Sequence, residues 1–268
     1  MKKMTFAVWF TALLAVFTFS SCLDDETGGT RQASEIVKVN GYMGTYSFKS
    51  AHGYELIPTN AGALTMDINR EFAFIQYGYN SDDVTQNMKK INVQLYGIMP
   101  IDRKVINESV EGMKEFANAP IRNITAGGSY SYFPITFWDP NIMFLPVNYF
   151  IKEYSDNKET QKEVASHDFM IYFDVNDPDA YDGSMILRVR HHVMDPALNK
   201  ERYRTNLSIY QVNLSSAMAT YESVKGAKPE RIVVEYEEAT NGMYEEHNLV
   251  SSRAEINYKR DVLDAYKK

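Results

Sequence analysis

Apolar and polar residues alternate in short runs along the first third of the chain. In the run INVQLYGI, the apolar residues Ile91, Val93 and Leu95 alternate with polar neighbours, which is the period-two pattern of a strand with one buried face. Comparable runs occupy residues 35–40, 42–48, 54–58 and 71–77. Long helical periodicity is absent. Five short strands within about 100 residues predict a small β-barrel.

The second half of the chain shows the same kind of alternation. In residues 184–193 (SMILRVRHHV), Met185, Leu187 and Val189 alternate with Arg188 and Arg190. Further runs occupy residues 135–138, 148–154, 168–175, 205–215 and 230–237. The end of the chain, residues 255–268, is predicted as a last strand that continues into a charged tail or a short helix. This number of strands predicts an antiparallel β-sandwich, so the fold class is all-β.

The first 21 residues have the features of a secretory signal. Lys2 and Lys3 precede an apolar run, residues 4–19, and the small residues Ser20 and Ser21 follow it. The run has about 16 residues, whereas a membrane-spanning helix needs about 20. A basic start, a short apolar run and a small-residue exit predict a cleaved signal peptide.

Cys22 is the only cysteine among the 268 residues. With Ser20 and Ser21 before it, Cys22 resembles the lipobox of bacterial lipoproteins, where the thiol is acylated and becomes the new N-terminus. The alternative is a stray cysteine after an ordinary signal, but a lone thiol in an exported chain has no disulfide partner. We therefore predict that acyl chains such as palmitate on Cys22 bind the lipid bilayer, each buried CH₂ contributing about 0.8 kcal/mol.

An acidic cluster, Leu23-Asp24-Asp25-Glu26, follows the cysteine directly. It resembles the signal that sends lipoproteins of Bacteroidetes to the outer face of the outer membrane. A solvated linker is the other interpretation, because charged segments are commonly disordered. We predict an outer-membrane lipoprotein that is exposed at the cell surface.

A Gly-, Ser-, Asn- and Pro-containing segment, residues 117–131, separates the two sets of strands. Such composition is typical of a domain boundary. The predicted organisation is a signal peptide at 1–21, a lipidated N-terminus and polar tether at 22–34, a barrel at 35–116, a linker at 117–131 and a sandwich at 132–268.

Composition excludes several classes of function. The formal net charge is −7 and becomes −9 when Lys2 and Lys3 leave with the signal peptide, so the basic surface of a nucleic-acid binder is missing. No cysteine remains for a thiolate zinc site if Cys22 is acylated. The apolar content of 44% is enough to build a buried core.

An acidic loop between two predicted strands is the strongest candidate metal site. Its oxygen-bearing side chains could surround Ca²⁺; they belong to Asp174, Asn176, Asp177, Asp179 and Asp182. However, Pro178 occupies a ligand position of the EF-hand pattern, and Met185 stands where the closing glutamate belongs. Asp, Asn, Pro and Gly are also ordinary turn residues, so a simple turn is the favoured interpretation and no metal is predicted.

Catalytic patterns are weak in this sequence. His191 and His192 are adjacent, and neighbouring strand residues point to opposite faces, so they do not easily share a metal. His167 and His247 could join them, but nothing in the sequence places either one nearby. No nucleophile elbow or phosphate-binding loop is present, so we predict no cofactor and no catalytic residue.

Aromatic residues are frequent, with 19 Tyr, 14 Phe and 2 Trp. Five of them cluster near the predicted domain boundary, where exposed rings could stack on sugars: Tyr130, Tyr132, Phe133, Phe137 and Trp138. The more ordinary interpretation is that they fill the core, since strands favour aromatic residues.

The layout as a whole resembles the NigD-like family of Bacteroidetes lipoproteins. The resemblance rests on Cys22 with its acidic neighbours, the segment YELIP at 54–58 and the strands at 72–77 and 91–98. The acidic Asp-run and the Asp/Gly-rich opening strand common in that family are missing here. The resemblance implies an N-terminal OB-type barrel and a C-terminal β-sandwich. It implies no established activity; the family name comes from a bacteriocin-associated gene cluster, which would suggest immunity.

The sequence therefore favours a non-enzymatic, lipid-anchored protein that binds an envelope protein or a glycan, and not nucleic acid. An envelope hydrolase assembled from distant residues, or a structural subunit of a surface assembly, are the alternatives. A cleft with convergent titratable groups would favour the enzyme.

Overall fold

β-Strands form most of the chain that the computed structural model describes, namely residues 29–42, 45–60, 69–84, 88–108, 116–125, 133–239 and 249–267. The predicted signal peptide, Cys22 and residues 23–28 lie outside these ranges. The chain divides into two compact units, residues 1–102 and 103–268.

Among the described residues, the first unit contains five strands. They are β1 (Thr30–Tyr42), β2 (Thr45–Ser50), β3 (Glu55–Pro58), β4 (Phe72–Asn80) and β5 (Lys90–Lys104). β1 pairs with β2 and β4, β2 pairs with β3, and β4 pairs with β5, all antiparallel, while β3 and β5 pair in parallel. The circuit β1-β2-β3-β5-β4-β1 closes a barrel, and it is the topology of the OB fold.

The barrel core follows directly from the alternation seen in the sequence. Along β5, Ile91, Val93 and Leu95 are buried and the residues between them are exposed. They meet Phe48 of β2 and Leu56 of β3, which are paired across the strands and almost fully buried. One apolar face per strand is what a small closed barrel needs to fill its interior.

The described part of the second unit contains nine strands. They are β6 (Ile106–Asn107), β7 (Ile121–Asn123), β8 (Thr136–Asp139), β9 (Ile142–Ile151), β10 (His167–Phe173), β11 (Ser184–Val193), β12 (Arg204–Asn213), β13 (Arg231–Ala239) and β14 (Leu249–Ile256). One group has the order β14-β13-β11-β10-β6, and in the other β9 pairs with β8 and β12. The short β7 pairs with both β9 and β13 and so links the two groups.

The predicted fold class, an all-β barrel followed by a sandwich, is confirmed. Within it, the pairs β11–β13, β7–β13 and β6–β10 are parallel, whereas the remaining described pairs of this unit are antiparallel. The parallel pair β11–β13 explains why residues 184–187 are buried without interruption, because parallel strands are usually covered on both faces.

Two helices that the sequence pattern does not predict lie in the second unit: α1 (Asn157–Ala165) and α2 (Ser215–Lys225). Asp156 caps α1 by accepting a hydrogen bond from the Lys158 N–H at 2.7 Å, as N-cap residues do. α2 ends at Gly226, whose φ of 76° belongs to the left-handed region, a common way to end a helix. None of the described helices has the length and apolarity to cross a membrane.

The structural limits differ from the sequence-based ones at three places. β1 begins at Thr30, inside the segment predicted as a tether, because its first residues pair with β4 although they are polar. The first unit ends at Asp102, not at residue 116. β7 lies in the segment predicted as a linker, where three residues are too few to show an alternation.

Candidate functional site

A group of polar side chains is buried together in the second unit. We call it the histidine cluster; its members are Glu163, His167, His191, Asn199 and Arg202, each at most 9% exposed. α1 supplies the glutamate, and the first residue of β10 and the eighth of β11 supply the histidines. A short 3₁₀ segment, Pro196–Glu201, supplies Asn199, and Arg202 follows it directly. Buried ionisable groups that converge from separate elements are candidates for function.

The two imidazole rings of the histidine cluster are hydrogen-bonded in series. His167 Nδ1 lies 2.9 Å from His191 Nε2, and His191 Nδ1 lies 2.8 Å from the carbonyl oxygen of Pro120. On the other side, His167 Nε2 lies 3.3 Å from Glu163 Oε1. All four ring nitrogens therefore have a polar neighbour.

Glu163 joins several elements through one oxygen. Its Oε1 accepts hydrogen bonds from Arg202 Nε at 2.6 Å and from the backbone N–H of Lys152 at 3.2 Å. Arg202 also donates from Nη1 to the Asp195 carbonyl at 2.8 Å and to Asn199 Oδ1 at 2.7 Å. The ion pair therefore ties α1 to the end of β9 and to the segment before β12.

Aromatic rings enclose the two histidines. Phe169 stacks on His191 with ring centroids 4.4 Å apart, and Tyr149 lies 4.8 Å from His167. The Tyr149 hydroxyl accepts a hydrogen bond from Asn206 Nδ2 at 2.6 Å and lies 3.2 Å from Ser208 Oγ. These rings keep water away from the imidazoles, which disfavours their charged form.

Burial sets the protonation states of the cluster. It lowers the pKa of His167 to about 4, although the negative charge of the nearby Glu163 carboxylate opposes this change. Burial and the neighbouring His167 lower the pKa of His191 to about 3. Burial alone would raise the pKa of Glu163, but the hydrogen bonds from Arg202 and the Lys152 backbone outweigh it and hold that pKa below its usual value. At neutral pH both rings are thus uncharged and the carboxylate is ionised.

Sequence reasoning placed His191 and His192 on opposite faces, and this is confirmed: His191 is buried, whereas half-buried His192 bonds to the Phe116 carbonyl at 2.8 Å. The sequence did not indicate that His167 contacts His191. The antiparallel register of β10 and β11 brings them together, since Phe169 pairs with His191 and His167 is two residues away. His247 lies outside the described residues.

The acidic loop of the calcium candidate is held by an arginine. Arg188 donates from Nε to Asp177 Oδ2 at 2.7 Å, and from Nη2 to Asp177 Oδ1 at 2.8 Å and Asp179 Oδ2 at 2.7 Å. Asp174 Oδ1 accepts from the backbone N–H of Asn176 at 2.8 Å, a turn-forming contact. Asp182 is exposed.

Arg188 also reaches across the sheet, where Nη1 bonds Glu235, and Arg253 Nη2 bonds the other oxygen of Glu235 at 2.9 Å. The guanidinium of Arg188 outweighs the effect of burial on Asp177 and holds the pKa of its carboxyl below the usual value. Among the described residues, no group of three or more His, Cys, Asp or Glu is arranged to hold a metal ion. Of the five calcium candidates, Asp177 and Asp179 are engaged by Arg188, and Asp174 by the backbone N–H of Asn176, whereas Asp182 is exposed.

Calcium is expected to leave the melting temperature unchanged, because Arg188 already neutralises Asp177 and Asp179. A site filled at 100 times its Kd would add about 2.7 kcal/mol to the stability, which is readily seen by thermal denaturation with calcium and with chelator. Asp182→Asn, at an exposed position of the loop, is the matched control. A rise in melting temperature with calcium that this substitution reduces would contradict the prediction.

The aromatic residues near the predicted boundary have different environments. Phe133, Phe137 and Trp138 are half-buried. Phe137 packs on Tyr258 with ring centroids 5.9 Å apart, so it belongs to the core. Tyr130 and Tyr132 lie outside the described residues.

The fold is shared with a solved structure from Bacteroides fragilis, and weaker matches come from other Bacteroides species. A candidate lipoprotein from Bacteroides fragilis NCTC 9343 is 27% identical, has a TM-score of 0.70, and the match covers 86% of this chain and 99% of that one. A protein of unknown function from Bacteroides vulgatus ATCC 8482 matches at 11% identity, TM-score 0.49, over 85% and 91% of the two chains. A NigD-like immunity protein from Bacteroides caccae ATCC 43185 matches at 13% identity, TM-score 0.47, over 82% and 91%.

The neighbours thus include a candidate lipoprotein and a NigD-like immunity protein. The Bacteroides fragilis structure, at a TM-score of 0.70, supports a lipoprotein whose role is unknown. No protein-family model matches the chain, and no curated protein is significantly similar to it.

Proposed function

We propose that the protein is a bacterial lipoprotein, anchored through acylated Cys22 in the outer membrane and exposed at the cell surface. Its barrel and sandwich bind an envelope protein or a glycan there, and it catalyses no reaction. The observation that carries the proposal is the similarity to the Bacteroides fragilis candidate lipoprotein, which spans 86% of this chain and 99% of the other.

The anchor is supported by the sequence around Cys22. The basic start, the apolar run of about 16 residues and the small residues before the cysteine together fit a signal that is cut at a lipidated cysteine. The acidic residues 24–26 fit export to the outer face.

The chemistry of the histidine cluster does not suit general-base catalysis. A general base must hold a free nitrogen against a nucleophile, but the ring nitrogens of His167 and His191 face each other, Glu163 and the Pro120 carbonyl. None of them faces a serine, threonine or cysteine in these contacts. The cluster is therefore better suited to holding the fold together than to activating a nucleophile.

Cys22→Ala is expected to release the protein from the membrane fraction, because the acyl chains provide the attachment. Ultracentrifugation of lysed cells, followed by immunoblotting, measures the share in each fraction. Ser20→Ala keeps a small residue before the cysteine and serves as the matched control, which should stay in the membrane. Retention of Cys22→Ala in the membrane would overturn the anchor.

Surface exposure and partner binding are tested on intact cells. Protease added outside should degrade the wild-type protein while a periplasmic marker survives, and protection of both would contradict surface exposure. Crosslinking on intact cells, followed by mass spectrometry, should recover a reproducible partner with the wild type. The Cys22→Ala protein, which is not held at the surface, is the control for that step.

A further inference from the structure

Three contacts run in series through the two buried histidines: Pro120 carbonyl to His191, His191 to His167, and His167 to Glu163, at 2.8, 2.9 and 3.3 Å. Each contact needs one hydrogen to be a hydrogen bond. A carbonyl and an ionised carboxylate can only accept, so all three hydrogens must come from the rings. Two neutral imidazoles carry one hydrogen each. One of the three contacts therefore lacks a hydrogen.

The distances indicate which contact it is. The 2.8 Å contact with the Pro120 carbonyl requires a hydrogen on His191 Nδ1, which leaves Nε2 of that ring as an acceptor. His167 must then donate from Nδ1, and its Nε2 is bare opposite Glu163 in the longest contact, 3.3 Å. If His191 carried its hydrogen on Nε2 instead, its bare Nδ1 and the Pro120 carbonyl oxygen would be two acceptors only 2.8 Å apart. The missing hydrogen thus belongs between His167 and Glu163.

In the closed state, α1 and residues 195–202 lie beside His167 through Glu163 and Arg202. The surrounding charges then make His167 Nε2 hard to protonate. Glu163 is held ionised by Arg202, whose guanidinium also repels a charge on His167. Among the described residues, the other titratable groups near these contacts are Tyr149 on β9 and Lys152, which pairs with Glu201, while His192 acts on His191 from the other face of β11. A closed, protonated cluster would bury the charges of His167 and Arg202 against a single carboxylate.

We propose that the histidine cluster is an acid-responsive latch, in which His167 Nε2 accepts a proton only when α1 and residues 195–202 move away from the ring. Glu163 holds α1 on the backbone of Lys152, directly after β9, and Arg202 ties residues 195–202 to Glu163. Acid therefore opens this part of the second unit before the rest unfolds. The inference does not depend on the proposed anchor or partner.

The direction of the pH effect follows from linkage. In the closed state the pKa of His167 is lowered to about 4, whereas an exposed histidine titrates near 6.5. Above about pH 6.5 neither state binds the proton, so opening is independent of pH. Below it the open state binds the proton first, and opening becomes more favourable as the pH falls.

Hydrogen–deuterium exchange of the full-length chain, corrected for the intrinsic pH dependence of exchange, tests the latch. Between pH 7 and pH 5, the opening constant of amides in residues 157–165 and 195–202 should rise about 20-fold. Amides in the centre of β9, β11 and β13 should not change. A uniform rise over the whole second unit would indicate global unfolding and would overturn the latch.

His167→Gln removes the titrating ring and should abolish the 20-fold rise, while His192→Gln, on the other face of β11, should retain it. An unchanged pH response in His167→Gln would overturn the proposal. Should that variant fail to fold, long-range ¹H–¹⁵N spectra of the wild type at pH 7 give the second test. They should show a hydrogen on Nδ1 of His167 and His191 and none on Nε2; a hydrogen on Nε2 of His167 would contradict the latch.

Discussion

Arg202→Met should lower the free energy of unfolding by about 3–5 kcal/mol, since removing one partner of a buried ion pair leaves an uncompensated charge. Arg202 is 3% exposed and Glu163 is 6% exposed. Without the guanidinium, the Glu163 carboxylate keeps only the Lys152 backbone N–H as a donor and faces the bare nitrogen of His167. Urea denaturation followed by circular dichroism measures the loss.

Two variants separate the buried charge from other effects of the substitution. Arg204→Met removes an arginine two residues away whose partner, Glu153, is exposed; such pairs contribute about 1 kcal/mol or less. In the double variant Glu163→Leu, Arg202→Met, no buried charge of the pair remains, so part of the stability should return. A loss in Arg202→Met as small as that in Arg204→Met, or a double variant that loses the sum of both single effects, would refute this explanation.

The barrel was predictable because its apolar residues fall in short runs of strand length, which alternate with polar residues in β5 and are buried on both faces in β4. The alternation at Ile91, Val93 and Leu95 is the burial pattern of β5, and the turn residues mark most strand ends. The start of β1 was not predictable in the same way. Residues 30–34 are polar or small, and the pairing with β4 that orders them leaves no hydrophobic pattern in the sequence.

The helix α1 was missed for a related reason. α1 has nine residues. Of these, Val164 packs against the apolar core of the second unit, and Glu163 is buried against Arg202. Two and a half turns with so few apolar residues show no 3.6-residue period. The capping residue Asp156 was the available signal, but aspartate occurs in many turns.

The histidine cluster could be predicted only in part from the sequence. The separation of His191 and His192 follows from the strand period alone. The contact between His167 and His191 depends on the register of β10 against β11, and the contact with Arg202 depends on the path of residues 195–202. Similarly, the acidic loop could be read as a turn, but the partner that neutralises it, Arg188, comes from the next strand.

Phe48→Ala should lower the free energy of unfolding of the barrel by about 3–5 kcal/mol. Phe48 is fully buried on β2, between its cross-strand neighbours Val39 of β1 and Leu56 of β3. Replacing the ring by a methyl group removes its apolar contacts and leaves a cavity. A closed barrel has little freedom to collapse into such a cavity, because each strand is hydrogen-bonded on both sides.

Lys49→Ala is the matched control, since Lys49 is the next residue on β2 and its side chain is exposed; a change within about 0.5 kcal/mol is expected there. Hydrogen–deuterium exchange of residues 45–58 reports the barrel directly, and tryptophan fluorescence reports the second unit, where Trp138 lies. Because the side-chain period of a strand is two, the contrast between these neighbours tests the register of β2. Equal effects of the two substitutions would mean that Phe48 does not point into the barrel.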